Sequence, residues 1–134
     1  MNLHAFLHPE TPEEQEIIIS TRFKDESGEP VPFRIRAITQ EENEALMKAA
    51  TRTVKDRTGN TVRNFDSQAY SRSLVVAGTV YPDFRSAELC EAYNVADPGL
   101  VPGKMLLVGE YLKLSEAISD LSGLGESAEE DAKN

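Results

Sequence analysis

The sequence predicts an α+β fold: an N-terminal antiparallel β-hairpin packed on a mainly helical body of about four helices. Three observations carry this. Apolar and polar residues alternate over Glu16–Phe23 and again over Phe33–Ile38, the period-2 pattern of half-buried strands. After Ile38 the apolar spacing turns helical and stays so, in segments, to Leu121. At the join, Thr39-Gln40-Glu41-Glu42 reads as a T-x-x-E capping box, so a strand runs into a capped helix with almost no loop.

The chain has 134 residues, which fits one domain over residues 1–123, with a flexible arm and acidic linker at 1–15 and a disordered acidic tail at 124–134. A chain of this size buries about two-thirds of its unfolded surface and needs no metal or disulfide to fold. Hydrophobic residues make up 40% and the formal net charge is −9. Such a field repels nucleic acid and anionic membrane, so neither is expected as a partner. Cys90 has no second cysteine to pair with, in keeping with a reducing cytosol. No apolar run approaches the ~18 residues that cross a bilayer, and Met1–His8 lacks the basic start of a secretory signal. These features point to a soluble intracellular protein.

Taken in order, Leu3, Phe6 and Leu7 are spaced for one face of a short helix, an arm that docks either on its own domain or on a neighbouring copy. His4 and His8 are i,i+4 partners, but no third metal ligand follows at matching spacing. Glu10–Glu16 holds four carboxylates and no cation and reads as an exposed linker. In the hairpin, Ile17, Ile19, Phe23, Phe33, Ile35 and Ala37 share the face to be buried, and Ser27-Gly28 marks the turn. The first helix runs from Gln40 to about Thr53, with Leu46, Met47, Ala50 and Val54 as its stripe. A polar loop follows at Lys55–Asn64, centred on Thr58-Gly59-Asn60-Thr61 and basic enough to meet an acidic partner. Asp66 caps a core helix over Ser67–Val80, although its β-branched end also reads as a strand. Ser86 caps a short helix to Tyr93, with Asn94 left-handed after it. Gly103–Leu121 is one last helix, carrying Met105, Leu106, Val108, Leu112 and Ile118 at helical spacing, with Gly109 in its middle and Gly123 as its stop.

Catalytic sets are missing. Gly103-Lys104 lacks the earlier glycine of a phosphate loop, no Gly-x-Ser-x-Gly elbow occurs, and no His stands near Cys90 in sequence. No cofactor is expected, and elimination favours an interaction protein over an enzyme.

Several segments together resemble the XkdN-like tail assembly chaperones of tailed phages and prophages of Gram-positive bacteria. They are Arg22-Phe23-Lys24-Asp25 with Gly28, Phe33 through Asn43, Tyr81-Pro82-Asp83-Phe84, Glu88-Leu89 with Tyr93 and Val95, and Met105-Leu106-Leu107 through Gly109-Glu110-Tyr111. The likeness covers roughly residues 3 to 123, in order. It implies a chaperone that coats the tape measure protein, keeps it soluble, and helps recruit tail-tube protein in the host cytoplasm, absent from the finished virion. It also implies other copies of the same chain as partners, and a longer frameshifted form in some systems. Helix-in-groove docking is the expected mode, with Leu3, Phe6, Leu7, Met47, Leu74 and Met105 as the candidate partner-binding residues. The acidic ends are expected to oppose self-association, so that it strengthens with salt. A structural tail or connector subunit retained in the virion is the alternative.

Overall fold

The alternating segments become strands, but short ones. The structure, a computed structural model, describes residues 2–124. A single helical turn, α1 (His4–Leu7), precedes β1 (Gln15–Ile17), which pairs antiparallel with β2 (Phe33–Ile35) in the register Gln15↔Ile35, Glu16↔Arg34, Ile17↔Phe33. Beyond Ile17 the chain leaves the ladder. Ile19 and Phe23 reach the interior from irregular backbone, and an isolated bridge joins Lys24 to Pro30. Ile19, Phe33 and Ile35 are buried and Ile17, Phe23 and Ala37 half-buried, the face the alternation predicts.

Thr39 caps α2 (Gln40–Ala49) as its sequence implies: the Glu42 N–H donates to Thr39 Oγ1 at 3.1 Å and the Thr39 N–H donates to Glu42 Oε1 at 3.2 Å. The helix stops four residues before the expected Thr53. The next segment is not a loop but a second hairpin, β3 (Thr51–Lys55) with β4 (Thr61–Phe65), in unbroken register from Thr51↔Phe65 to Lys55↔Thr61. Val54, assigned from sequence to the helix stripe, lies in β3 and is exposed. The turn is closed by Asp56, whose Oδ1 accepts from the Thr58 and Asn60 N–H groups at 2.9 Å each and from the Thr58 hydroxyl at 2.7 Å. Gly59 takes φ +84°, where a side chain is strained.

Asp66 caps α3 (Ser67–Gly78) by accepting from the Gln68 and Ala69 N–H groups, both at 3.1 Å. This helix ends two residues before the expected Val80, and the chain enters β5 (Thr79–Tyr81), which pairs antiparallel with β2. The sheet order is therefore β1-β2-β5, and the N-terminal hairpin is two-thirds of a three-stranded sheet. Thr79 is buried at the switch, its hydroxyl donating to the Val75 carbonyl at 2.7 Å, so it leaves no orphaned polar group. A cis Tyr81–Pro82 peptide leads to α4 (Ala87–Ala92), and Asn94 takes the expected positive φ, +55°. Ser86 precedes α4 but makes no side-chain cap bond.

The last predicted helix is two. A 3₁₀ turn (Pro98–Leu100) leads into α5 (Val101–Met105), the backbone extends at Leu106 and Leu107, and α6 (Val108–Leu121) begins afresh. Gly109 thus lies in the first turn of α6, not mid-helix, and nothing packs within 4 Å of where its Cβ would be. The C-terminus of α6 closes as a Schellman motif: the Leu124 N–H donates to Ser119 O at 2.8 Å and the Gly123 N–H to Asp120 O at 3.0 Å, with Gly123 at φ +85°. The acidic tail expected at 124–134 lies, but for Leu124, outside the described residues.

The core lies between the three-stranded sheet and the helices. Ile35 of β2, Val75 of α3, Phe84, Val101 of α5, and Leu114 and Ile118 of α6 are fully buried in it.

Candidate interaction surfaces

Two arginine–carboxylate forks fix helices α2 and α6 to the sheet side of the fold. Glu42 and Glu110 each stand at the third position of a helix, and each reaches back to the N–H that precedes it: Glu110 Oε1 accepts from Leu107 at 2.8 Å. An arginine from the N-terminal third then grips each carboxylate. Arg36 donates Nη1 to Glu42 Oε1 at 3.0 Å and Nη2 to Oε2. Arg22 donates Nε to Glu110 Oε2 at 3.0 Å, and its Nη2 reaches both Glu110 Oε1 and the Met105 carbonyl. Bidentate pairing of this kind is directional as well as attractive. It also lets Leu107, which has no polar side chain, begin a helix, since the neighbouring carboxylate does the capping.

The arginine hydrogen bonds hold both carboxyl groups down to about 2 from an ordinary value near 4.5. A carboxylate held below its unfolded value contributes stability that is complete above the unfolded value and lost as pH falls through the interval. Thermal melts followed by circular dichroism should therefore show a falling midpoint between pH 4.5 and pH 2. Arg22→Gln combined with Arg36→Gln should flatten that fall. An equal slope in the variant would show that the forks do not carry it.

With the helices so placed, exposed apolar side chains gather in three places among the described residues, while Ile18, Tyr81 and Leu124 are exposed singly. The first is the arm: Leu3, Phe6 and Leu7 are 59%, 81% and 68% exposed, and α1 buries no residue. The second is the start of α6. Val108 and Leu112, one turn apart on one helix face, are 80% and 54% exposed, and Leu107 beside them is exposed too. Tyr111, on the adjoining strip of α6, lines an open groove with Leu100, Gly99 and Gly103, rimmed by the cations Arg72 and Lys104. No atom within 4 Å would meet a Cβ on Gly103, so backbone is open to an incoming chain there. The third is the β3–β4 hairpin with the end of α2, where Met47, Lys48, Thr51, Thr53 and Arg63 line a cleft of about 470 Å³.

The six residues singled out in the sequence divide between surface and interior. Leu3, Phe6, Leu7 and Met47 are on the surface. Leu74 and Met105 are core residues, 6% and 9% exposed, in the cluster shared by α3, α5, α6 and the sheet. Met105 still edges a separate groove of about 390 Å³ with Phe23, Phe33, Tyr81 and Tyr93. Leu112, placed from sequence among the apolar residues of the last helix, faces solvent, because it lies about 200° round α6 from the buried Leu114. Cys90 is half-buried, its Sγ 3.7 Å from the Phe84 carbonyl. His4 and His8 face one another at 4.9 Å between ring centroids, and no cluster of three or more metal-ligating side chains occurs among the described residues.

The structure is thus a small α+β fold that leaves apolar side chains exposed on an arm, a helix face and a hairpin. Comparison with known proteins defines the kind. The chain belongs to the family described as the phage XkdN-like tail assembly chaperone protein, whose profile matches residues 3–133. It is similar to the phage-like element PBSX protein XkdN of Bacillus subtilis (strain 168), 39% identical in an alignment of 128 residues that covers 91% of this chain and 85% of that protein. It is equally similar to the YqbN protein of the same strain, 41% identical over 128 residues with the same coverage. The crystal structure of a YqbN protein superposes with a TM-score of 0.74 at 35% identity, covering 89% of this chain and 94% of that one. Among the described residues no helix is long and apolar enough to cross a membrane.

Proposed function

We propose that this chain serves phage tail assembly by coating the tape measure protein, keeping that long apolar helical chain soluble until tail-tube protein polymerises around it, and that it does so in the host cytoplasm and leaves before the virion is complete. A helix rises about 1.5 Å per residue, so a chain that spans a tail exposes apolar surface over hundreds of ångströms, about an order of magnitude beyond the reach of one small domain. Many copies must line up. The observation that carries the reading is the exposed pair Val108 and Leu112 on α6, the helix that also gives Tyr111 to the groove with Leu100 and the open Gly103 backbone. That is the shape and chemistry an amphipathic helix docks into, and the rim cations Arg72 and Lys104 suit the acidic flank of such a helix.

Val108→Glu combined with Leu112→Glu tests this. Both side chains are exposed, so folding is spared. On co-expression with the tape measure protein of the same genome, the variant should recover less soluble tape measure by roughly tenfold or more, since each buried aliphatic side chain is worth about 1.5–3 kcal/mol. Unchanged recovery would remove α6 from the binding face. Detection of the chain in purified virions would favour a retained tail or connector subunit instead.

A further inference from the structure

We propose that the N-terminal arm of one copy docks in the cleft at the foot of the β3–β4 hairpin of a second copy, a heterologous contact that strings copies head to tail. This goes beyond the tape measure reading and stands apart from it.

The arm is built to dock and its own fold gives it no seat. Leu3, Phe6 and Leu7 stay exposed, and the segment behind them carries Glu10 and Glu13, neither in an ion pair among the described residues. Glu14, by contrast, lies 4.0 Å from Arg34 of β2, which anchors the end of the linker to the sheet.

The hairpin is the complement in charge and in apolar character. In a chain of net charge −9 its fifteen residues, 51–65, hold Arg52, Lys55, Arg57 and Arg63 against the single carboxylate of Asp56. That carboxylate is occupied by its own turn. None of the four cations, nor Lys48 beside them, forms an ion pair among the described residues. The register Thr51↔Phe65 and Thr53↔Arg63 puts Thr51, Thr53 and Arg63 on one face of the ribbon. That face and the end of α2 line the cleft of about 470 Å³, with Met47 as its apolar wall and Lys48 and Arg63 as its cations. An apolar turn followed by carboxylates matches an apolar wall flanked by cations, and this chain carries both halves.

Because arm and cleft are different patches, the contact is not self-complementary; it leaves a free arm at one end and a free cleft at the other, so it propagates. It also reverses the sign of the salt effect that net charge alone implies. The acidic linker attracts rather than repels, and screening weakens association.

Sedimentation velocity on the full chain, with no tape measure protein present, tests the contact apart from any chaperone activity. Wild-type chain should self-associate in about 0.05 M salt and dissociate toward monomer in about 0.5 M salt. E10K/E13K and K48E/R63E alter only exposed side chains, so both should stay folded, with K48E/R63E melting slightly lower because Lys48 stands in the last turn of α2. Each alone should associate at least roughly tenfold more weakly, because each sets like charge against like. Mixed, they should associate again, since the reversed arm of one meets the reversed cleft of the other. Phe6→Ala should weaken association without recovery on mixing. A monomeric wild-type chain in low salt, association that strengthens with salt, or two variants that stay apart on mixing would each overturn the proposal. Those outcomes leave the α6 reading standing, just as failure of tape measure rescue would leave this one.

Discussion

Phe84→Ala is expected to lower the melting temperature by about 10–20 °C, the largest effect of any single truncation in this chain. Phe84 is the largest of the fully buried side chains. It lies in the connection between β5 and α4, with no regular element of its own, yet it sits in the cluster built by the sheet, α3, α5 and α6. Removing the ring deletes its transfer free energy and leaves a cavity that four elements would have to collapse to fill, about 3–5 kcal/mol for Phe to Ala. Phe65 is the control. It is a phenylalanine too, but lies exposed at the base of the second hairpin against Tyr70. Phe65→Ala should shift the midpoint by only a few degrees. Circular-dichroism melts of the two variants side by side give the comparison; similar shifts would mean that the core is centred elsewhere.

Gly78→Ala is expected to cost about 1–3 kcal/mol, against the usual helix gain from replacing glycine with alanine. A Cβ on Gly78 would lie 2.5 Å from Ile118 Cγ2 and 2.9 Å from Ile118 Cδ1. Ile118 is itself fully buried, so its side chain has no free space to enter. This glycine is where the end of α3 comes against α6, and its carbonyl also accepts from the Arg36 N–H at 2.9 Å, joining helix, sheet and helix at one residue. Ile118→Ala removes all three side-chain atoms that the new Cβ meets. In urea titrations Gly78→Ala/Ile118→Ala should therefore be less destabilised than the sum of the single variants, a coupling that two unrelated lesions would not show. Additive losses would mean that the close approach is not the cause.

The physical reasons for what the sequence shows and hides differ from element to element. Thr39, Asp66, Asn94 and Gly123 were legible because each acts through bonds to residues two to four positions away. The faces of the N-terminal hairpin were legible for the same reason, since alternation is local. The second hairpin was missed although its signal was present. Asp56-Arg57-Thr58-Gly59-Asn60 repeats the pattern of Asp25-Glu26-Ser27-Gly28-Glu29. In both, the aspartate Oδ1 accepts from the residues two and four ahead, and the glycine takes φ near +85°. The Ser27 and Thr58 hydroxyls, together with these N–H groups, hold Asp25 and Asp56 below the ordinary carboxylate range. Reading the first as a turn between strands licenses the same reading of the second, flanked by Thr51-Arg52-Thr53-Val54 and Thr61-Val62-Arg63. The break between α5 and α6 was hidden because Met105-Leu106-Leu107-Val108 keeps an apolar run going through it. The cap that restarts the helix is local, Glu110 on the Leu107 N–H, but the grip that holds this carboxylate is long-range, Arg22 from 88 residues away. The exposed Val108–Leu112 pair is legible within α6, since Leu112 lies about 200° round the helix from the buried Leu114.

We propose that many copies of this chain hold one tape measure protein in solution. The direct measurement is the mass of the complex, by size-exclusion chromatography with light scattering, after co-expression of the two chains. The expected result is a soluble particle in which the tape measure carries many copies of this chain, in numbers that grow as the tape measure is lengthened. A tape measure that remains insoluble, or a particle holding one or two copies whatever the tape measure length, would contradict it.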